Sequence, residues 1–266
     1  MLEVNKIYNF DCLSDRGIKN IPDNSIQLIV TDPPYFLLNK EWDKQWKTEE
    51  EYLSWCSLWF HECFRVLKED GAFYVFQDWR LASEYVIMLK KIFLFYQNNI
   101  TWERIKGRSS KINWKSTKEE ILYFSKIKEP KFFEQKKIRP VIAPYKDEDG
   151  KPKGWFIDEE GNRVRWTGTG NVWHYTPPVW SSIEEPPSHP TQKPLMMIER
   201  IISAHTEKEN TVLDLFGGSM TTAVACDKLG INWICIEKDE NYCKIGLERV
   251  NNNRQKLNLP PTTLVL

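Results

Sequence analysis

The sequence predicts an α/β fold: a doubly wound, mostly parallel sheet covered by helices on both faces and interrupted by an insertion. Three observations carry this. Compact, mostly apolar segments of five residues recur at 26–30, 72–76, 211–215 and 232–236. Apolar residues at helical spacing separate them, as in Leu53, Cys56, Phe60, Phe64 and Leu67. Between the two halves, residues 128–190 are rich in Pro and Gly, lack periodicity, and hold Trp155, Trp166, Trp173 and Trp180.

In order along the chain, a short strand is expected near 6–9, then a helical turn through 12–19. The β-branched strand 26–30 runs into Thr31-Asp32-Pro33-Pro34-Tyr35, where two prolines force the chain out of the sheet. A helix over 49–67, a strand over 72–76, a helix over 81–93 and a strand over 100–102 follow. The C-terminal part repeats the alternation, with helix 195–205, strand 211–215, helix 220–229, strand 232–236 and a closing helix 240–254. A structureless stretch as long as 128–190 is uncommon in a compact domain unless it serves a function, and its aromatic content reads as recognition.

Composition narrows the function. The chain has 266 residues, 41% of them hydrophobic, enough to bury roughly three quarters of its unfolded surface without a metal or disulfide staple. Lys plus Arg and Asp plus Glu each number 37, so any nucleic-acid role rests on a local patch. Residues 100–140 supply one candidate: twelve bases against five acids, a net +7. Within it Lys106, Arg108, Lys111 and Lys115 are interleaved with Ser109, Ser110, Asn113 and Trp114, as phosphate contacts tend to be. In the insertion Arg163 and Arg165 sit beside Trp166 and could reach DNA too. The six cysteines form no CxxC pair and the four histidines are scattered, so no metal site is expected and the thiols read as buried and reduced. No signal-type segment and no apolar run near ~20 residues is visible, which predicts a cytoplasmic protein without a membrane.

Three segments carry chemistry. Asp32-Pro33-Pro34-Tyr35 ends a strand at the sheet edge where ligands bind. Asp32 and the Pro33 carbonyl could accept from a flat amine while Tyr35 stacks on its ring; a plain turn reads equally well. Leu213-Asp214-Leu215-Phe216-Gly217-Gly218-Ser219-Met220-Thr221-Thr222 brings glycines and a helix start close to a ligand, without a Walker lysine or a GxGxxG spacing. Glu237 ends the next strand, where an acid holds ribose hydroxyls. Ser188-His189-Pro190-Thr191-Gln192-Lys193-Pro194 precedes a helix and reads as a cap or a carboxylate site.

Together, these segments resemble the amino-group DNA methyltransferases, in the order of their permuted β group. The resemblance implies a circularly permuted class I methyltransferase-like fold with S-adenosylmethionine as cofactor. It implies a catalytic part over 1–127, a target-recognition insertion over 128–187 and a cofactor-binding part over 188–266. Asp32, Pro33, Pro34 and Tyr35 would hold the target base, with Asp32 also reaching the cofactor. Asp214, Phe216, Gly217, Gly218, Ser219, Thr221 and Thr222 would line the cofactor, Glu237 its ribose, and Asp11 and Cys12 its adenine. His189, Thr191, Gln192 and Lys193 would lie near its carboxylate. Asp rather than Ser before Pro-Pro-Tyr implies the adenine-N6 type, with cytosine-N4 the alternative. Met220 stands where the family usually has glycine; crowding of the cofactor there would leave a catalytically silent DNA-binding relative. The implied partners are double-stranded DNA, a cognate restriction endonuclease and a second copy in a homodimer.

Overall fold

The computed structural model describes residues 2–36, 45–104, 111–142, 144–178 and 192–266. They divide into two compact units, residues 133–171 and the remainder.

The larger unit holds a nine-stranded sheet. Its strands are β1 (Lys6–Asn9), β2 (Ile26–Thr31), β3 (Leu67–Gln77), β4 (Phe95–Glu103), β5 (Lys118–Ser125), β9 (Val172–His174), β10 (Thr211–Asp214), β11 (Asn232–Glu237) and β12 (Leu264–Val265). The order is β12-β1-β11-β10-β2-β3-β5-β4-β9, and β5 alone runs against its neighbours. The helices are α1 (Glu49–Val66), α2 (Ala82–Ile92), α3 (Leu195–His205), α4 (Thr221–Leu229) and α5 (Glu240–Lys256). Side chains alternate across the strands: Ala72, Tyr74 and Phe76 face the layer of α3, α4 and α5, and Phe73 and Val75 face that of α1 and α2. Burial on both faces is why these strands read as apolar runs. Caps fix two helix starts: Thr48 accepts from the Glu51 amide at α1, and Asp239 accepts from the Asn241 and Tyr242 amides at α5.

Several expected elements differ. Residues 12–19 form turns and the 3₁₀ turn Ile18–Asn20 rather than a longer helical turn. β4 begins five residues before the expected strand, β3 begins at Leu67 and shifts register against β2, and β5 lies wholly inside the stretch read as basic. Glu119 and Glu120 broke the apolar run that would have marked β5, yet both are buried.

Met220 does not open α4 as a helical residue; it is the N-cap, in left-handed backbone with φ +59°. That conformation favours glycine. Its side chain is fully buried, and a Cβ at Gly217 would meet Met220 Sδ at 2.7 Å while one at Gly246 would meet Cγ at 2.4 Å. The methionine therefore fills a space that two glycines leave open.

The smaller unit is a three-stranded antiparallel sheet of β6 (Lys136–Pro140), β7 (Phe156–Ile157) and β8 (Arg163–Gly168), with β8 in the middle.

At the end of α3, buried His205 donates from Nδ1 to the Lys131 carbonyl (2.6 Å) and accepts at Nε2 from the Tyr74 hydroxyl (2.8 Å). Burial holds its pKa down at about 4, against the partial support of the Lys131 carbonyl. The folded chain resists a proton that the unfolded chain takes near pH 6.5, so stability is complete above that pH and falls as pH drops toward 4. The loss should approach about 3 kcal/mol. His205→Gln should remove this component, and matching wild-type and variant stability–pH curves from urea melts would assign it elsewhere. Met220→Gly should lose buried packing worth about 2–5 kcal/mol and regain about 1–2 kcal/mol of left-handed strain. A net destabilisation of about 1–3 kcal/mol is expected in the same melts; a stabilised variant would show that the methionine packs poorly.

Candidate active site

The C-terminal ends of five parallel strands open on a cavity of about 750 Å³. Cys12 lies beyond β1, Asp32–Tyr35 beyond β2, Asp78 beyond β3, Asp214–Ser219 at the end of β10 and Glu237 at the end of β11. β2 and β10 are neighbours, yet β2 leads to β3 on one side while β10 leads to β11 on the other. This is the switch point of a doubly wound sheet, where the diverging connections leave a crevice.

On the β2 side, both Asp32 oxygens are engaged. Oδ1 accepts from the Tyr35 hydroxyl at 2.5 Å, and Oδ2 pairs with Lys193 Nζ at 2.5 Å. Glu119 of β5 shares both groups: its Oε2 lies 3.2 Å from the Tyr35 hydroxyl and 3.4 Å from Lys193 Nζ, and Oε1 pairs with Arg104 at 2.8 Å. The ammonium also lies over the rings of Tyr35 and Phe76. Burial pulls the Lys193 pKa down, but Asp32 and Glu119 outweigh it and hold it above the ordinary lysine range. Burial, reinforced by Asp32 and Glu119, keeps Tyr35 a neutral phenol far above its usual range. The turn itself is braced from below: the Pro34 carbonyl accepts from Tyr52 at 2.6 Å, and Tyr52 is bonded in turn to Tyr85 and Gln77.

On the β10 side, the buried Asp214 carboxylate accepts from Thr31 (3.1 Å), the Phe216 amide (3.1 Å) and Thr222 (2.7 Å). Burial raises its pKa to about 6 against the pull of these donors. Gly218 has φ +49° and donates its amide to Glu237 Oε2 at 2.8 Å; Glu237 Oε1 accepts from the Asp239 amide. Asp11 anchors the Leu13 amide, beside Lys238 at 3.5 Å. Phe216 packs on Trp55 and Trp59.

The cavity thus gathers Asp11, Cys12, Asp32, Pro33, Pro34, Tyr35, Gln192, Lys193, Asp214, Phe216, Gly217, Gly218, Ser219, Thr221, Thr222 and Glu237. His189 and Thr191 lie outside the described residues. Lys193, expected near the cofactor's carboxylate, lines the cavity and pairs with Asp32. Met220 is absent from the lining among the described residues; its side chain packs toward Gly217 and Gly246. Sequence reasoning missed Trp55, Asp78, Arg80, Arg104 and Glu119. Asp78 carried a signal, an acid directly after a buried strand as at Asp32, whereas Glu119 was hidden with the unread β5.

The basic stretch is not one continuous face. Arg104 pairs with Glu119, Lys118 with Glu120 and Lys131 with Glu207, while Lys126 is buried with its ammonium 2.8 Å from Asn24 and over the Phe64 ring. Lys111 and Lys115 are exposed; Lys106 and Arg108 lie outside the described residues. In the smaller unit, Arg139 stands directly opposite Arg165 and Lys137 opposite Thr167, with Arg163 next on the same face; Ile138, Val164 and Trp166 occupy the other. Arg163 also packs against the Trp155 ring. Like charges in register cost stability in the absence of an anion.

Among the described residues no helix is long and apolar enough to cross a membrane and no cluster of metal-ligating side chains occurs. A family model described as DNA methylase matches residues 26–248. Type II methyltransferase M1.MboII of Moraxella bovis is 32% identical over 91% of this chain and 95% of its own. The DNA adenine methyltransferase YhdJ of Escherichia coli is 30% identical over 94% of this chain and 83% of its own. Among solved structures, the M1.HpyAVI–SAM complex has 25% identity, a TM-score of 0.60 and coverage of 92% and 98%. The cytosine-N4-specific PvuII DNA methyltransferase, at 20% identity, has a TM-score of 0.68 over 98% of each chain. With the family model spanning both halves of the cavity, from β2 through α5, this chain belongs to the N6/N4 family of DNA methylases.

Proposed function

We propose that the protein methylates the N6 amino group of adenine in double-stranded DNA, using S-adenosylmethionine. One observation carries the reading: Asp32-Pro33-Pro34-Tyr35 and the Asp214–Gly218 and Glu237 segments open on a single cavity at the switch point. The relative YhdJ, named an adenine methyltransferase, and the aspartate before Pro-Pro-Tyr both favour adenine.

The lining suits the cofactor. Glu237 and Asp11 offer acceptors for hydroxyls and an amine, Phe216 and Trp55 offer apolar faces, and an excess of carboxylates suits a sulfonium cation. When bound, the cofactor supplies an electrophilic methyl group. The residues of this chain do the rest. Adenine's amine is a poor nucleophile because its lone pair is delocalised into the ring. Accepting its N–H bonds at Asp32 and the Pro33 carbonyl favours a tetrahedral nitrogen and stabilises the positive charge that develops there. Tyr52 fixes the turn that presents these acceptors, which serves positioning. The base has to leave the duplex to reach Asp32, and the Tyr35 ring is the stacking surface. Direct transfer to the amine needs no covalent cysteine, and burial, with Asp11 adding to it, pushes the Cys12 thiol far up, away from the nucleophilic thiolate.

The smaller unit is the candidate DNA reader, its Lys137, Arg139, Arg163 and Arg165 face meeting phosphates, with Lys111 and Lys115 as further contacts. The bacterial type II relatives favour a cytoplasmic enzyme. The names of the type II relatives favour a role in restriction–modification, with a partner endonuclease. A homodimer remains the reading from resemblance alone.

Asp32→Ala should abolish methyl transfer while cofactor affinity, measured by calorimetry, stays within a few fold; turnover in this variant would overturn the role of Asp32, and N4-methylcytosine in the DNA of expressing cells would overturn the adenine assignment. Replacing Lys137, Arg139 and Arg165 together by Gln should flatten the slope of log affinity against log salt by about 0.9 for each phosphate that is no longer neutralised. An unchanged slope would remove this face from the DNA interface.

A further inference from the structure

Lys193 and Asp32 form a close pair where an acceptor for the target amine is needed. An ammonium 2.5 Å from Asp32 Oδ2 cancels the negative charge that should face the amine, and it repels the positive charge that grows on nitrogen during transfer. Lys193 cannot simply swing into water. Its side chain is 7% exposed, and stranding a buried cation without a counter-charge is costly. A second carboxylate therefore has to be within reach, and Glu119 is: its Oε2 lies 3.4 Å from the same Nζ, and its side chain is 9% exposed.

We infer that Glu119 is a positioning residue for methyl transfer, taking the Lys193 ammonium off Asp32 as the target amine arrives. The inference rests on the reading of Asp32 as the amine's acceptor. Closing 3.4 Å to an ordinary charge-assisted contact needs a movement of only about half an ångström. Arg104 grips the other oxygen of Glu119 at 2.8 Å and aims Oε2 at the pair. The Tyr35 hydroxyl bridges the two carboxylates, at 2.5 Å from Asp32 and 3.2 Å from Glu119, so it is placed to follow the same exchange and release its ring toward the base. No proton or electron changes hands; one cation moves between two anions. Before the base arrives, Asp32 is held neutralised and in place. Afterwards its charge is directed at the amine.

The test uses the full chain, saturating S-adenosylmethionine and unmethylated bacterial genomic DNA, with N6-methyladenine formation followed over time. Glu119→Gln preserves shape and removes the receiving charge. Its rate at saturation should fall about tenfold or more, while cofactor affinity stays within about twofold. Adding Lys193→Met should then raise the rate above that of Glu119→Gln alone, because nothing is left to neutralise Asp32; damaged packing would not be rescued this way. A Glu119→Gln enzyme at the wild-type rate, or a double variant no faster than the single one, would overturn the handover. If Glu119→Gln does not fold, Glu119→Asp serves: its shortened reach should slow the reaction, Lys193→Met should relieve it, and lack of relief overturns the inference. Asp32→Ala separates the two readings. If it is inactive beside a full-rate Glu119→Gln, only the handover fails; if it is active, the role of Asp32 fails as well.

Discussion

Everything at the site depends on one buried carboxylate. Asp214 ends β10 and is bonded to the last residue of β2, Thr31, and to the first turn of α4 through Thr222. Thr31 also accepts from the Leu215 amide at 3.3 Å. Residues far apart in sequence are thereby stitched across the switch point, one step before Asp32 on one side and two before Phe216 on the other. A buried acid without donors would be expensive; three donors make this one tolerable and at the same time dictate where the adjoining loops go.

Around that stitch the two sides of the cavity are built differently. The β10 side is made of backbone amides and fixed carboxylates, with Glu237 holding the Gly218 and Asp239 amides so that the glycine turn has one shape. The β2 side is an assembly of charges in near balance, Asp32 and Glu119 against Lys193 and Arg104. A rigid cradle suits a cofactor that must bind in one pose. A charge cluster with two close arrangements suits a pocket that has to admit a base from a duplex.

The central sheet was legible because its strands are buried on both faces and appear as mostly apolar runs, such as 26–30 and 232–236. The motifs were legible because they interrupt those runs abruptly, with Pro33 and Pro34 or with Gly217 and Gly218. What escaped was strand β5, whose buried Glu119 and Glu120 imitate a solvated segment. With β5 unread, Arg104, Lys118 and Lys126 looked like exposed charge, though each is tied to a partner inside the larger unit. Charge counted along a chain does not reveal which charges cancel in three dimensions. The smaller unit, residues 133–171, lies inside the stretch 128–187 read as an insertion, but its basic face depends on strand register that Arg139 and Arg165 do not announce individually.

Met220 draws its consequence from the space it fills. Its thioether occupies the volume that side chains at Gly217 and Gly246 would need, from a backbone conformation that costs a methionine and would suit a glycine. The three positions are therefore coupled sterically. With methionine at 220, a side chain at 246 would meet its Cγ and one at 217 the movable end of its thioether, so either replacement needs the methionine to shift, whereas glycine at 220 would remove both contacts.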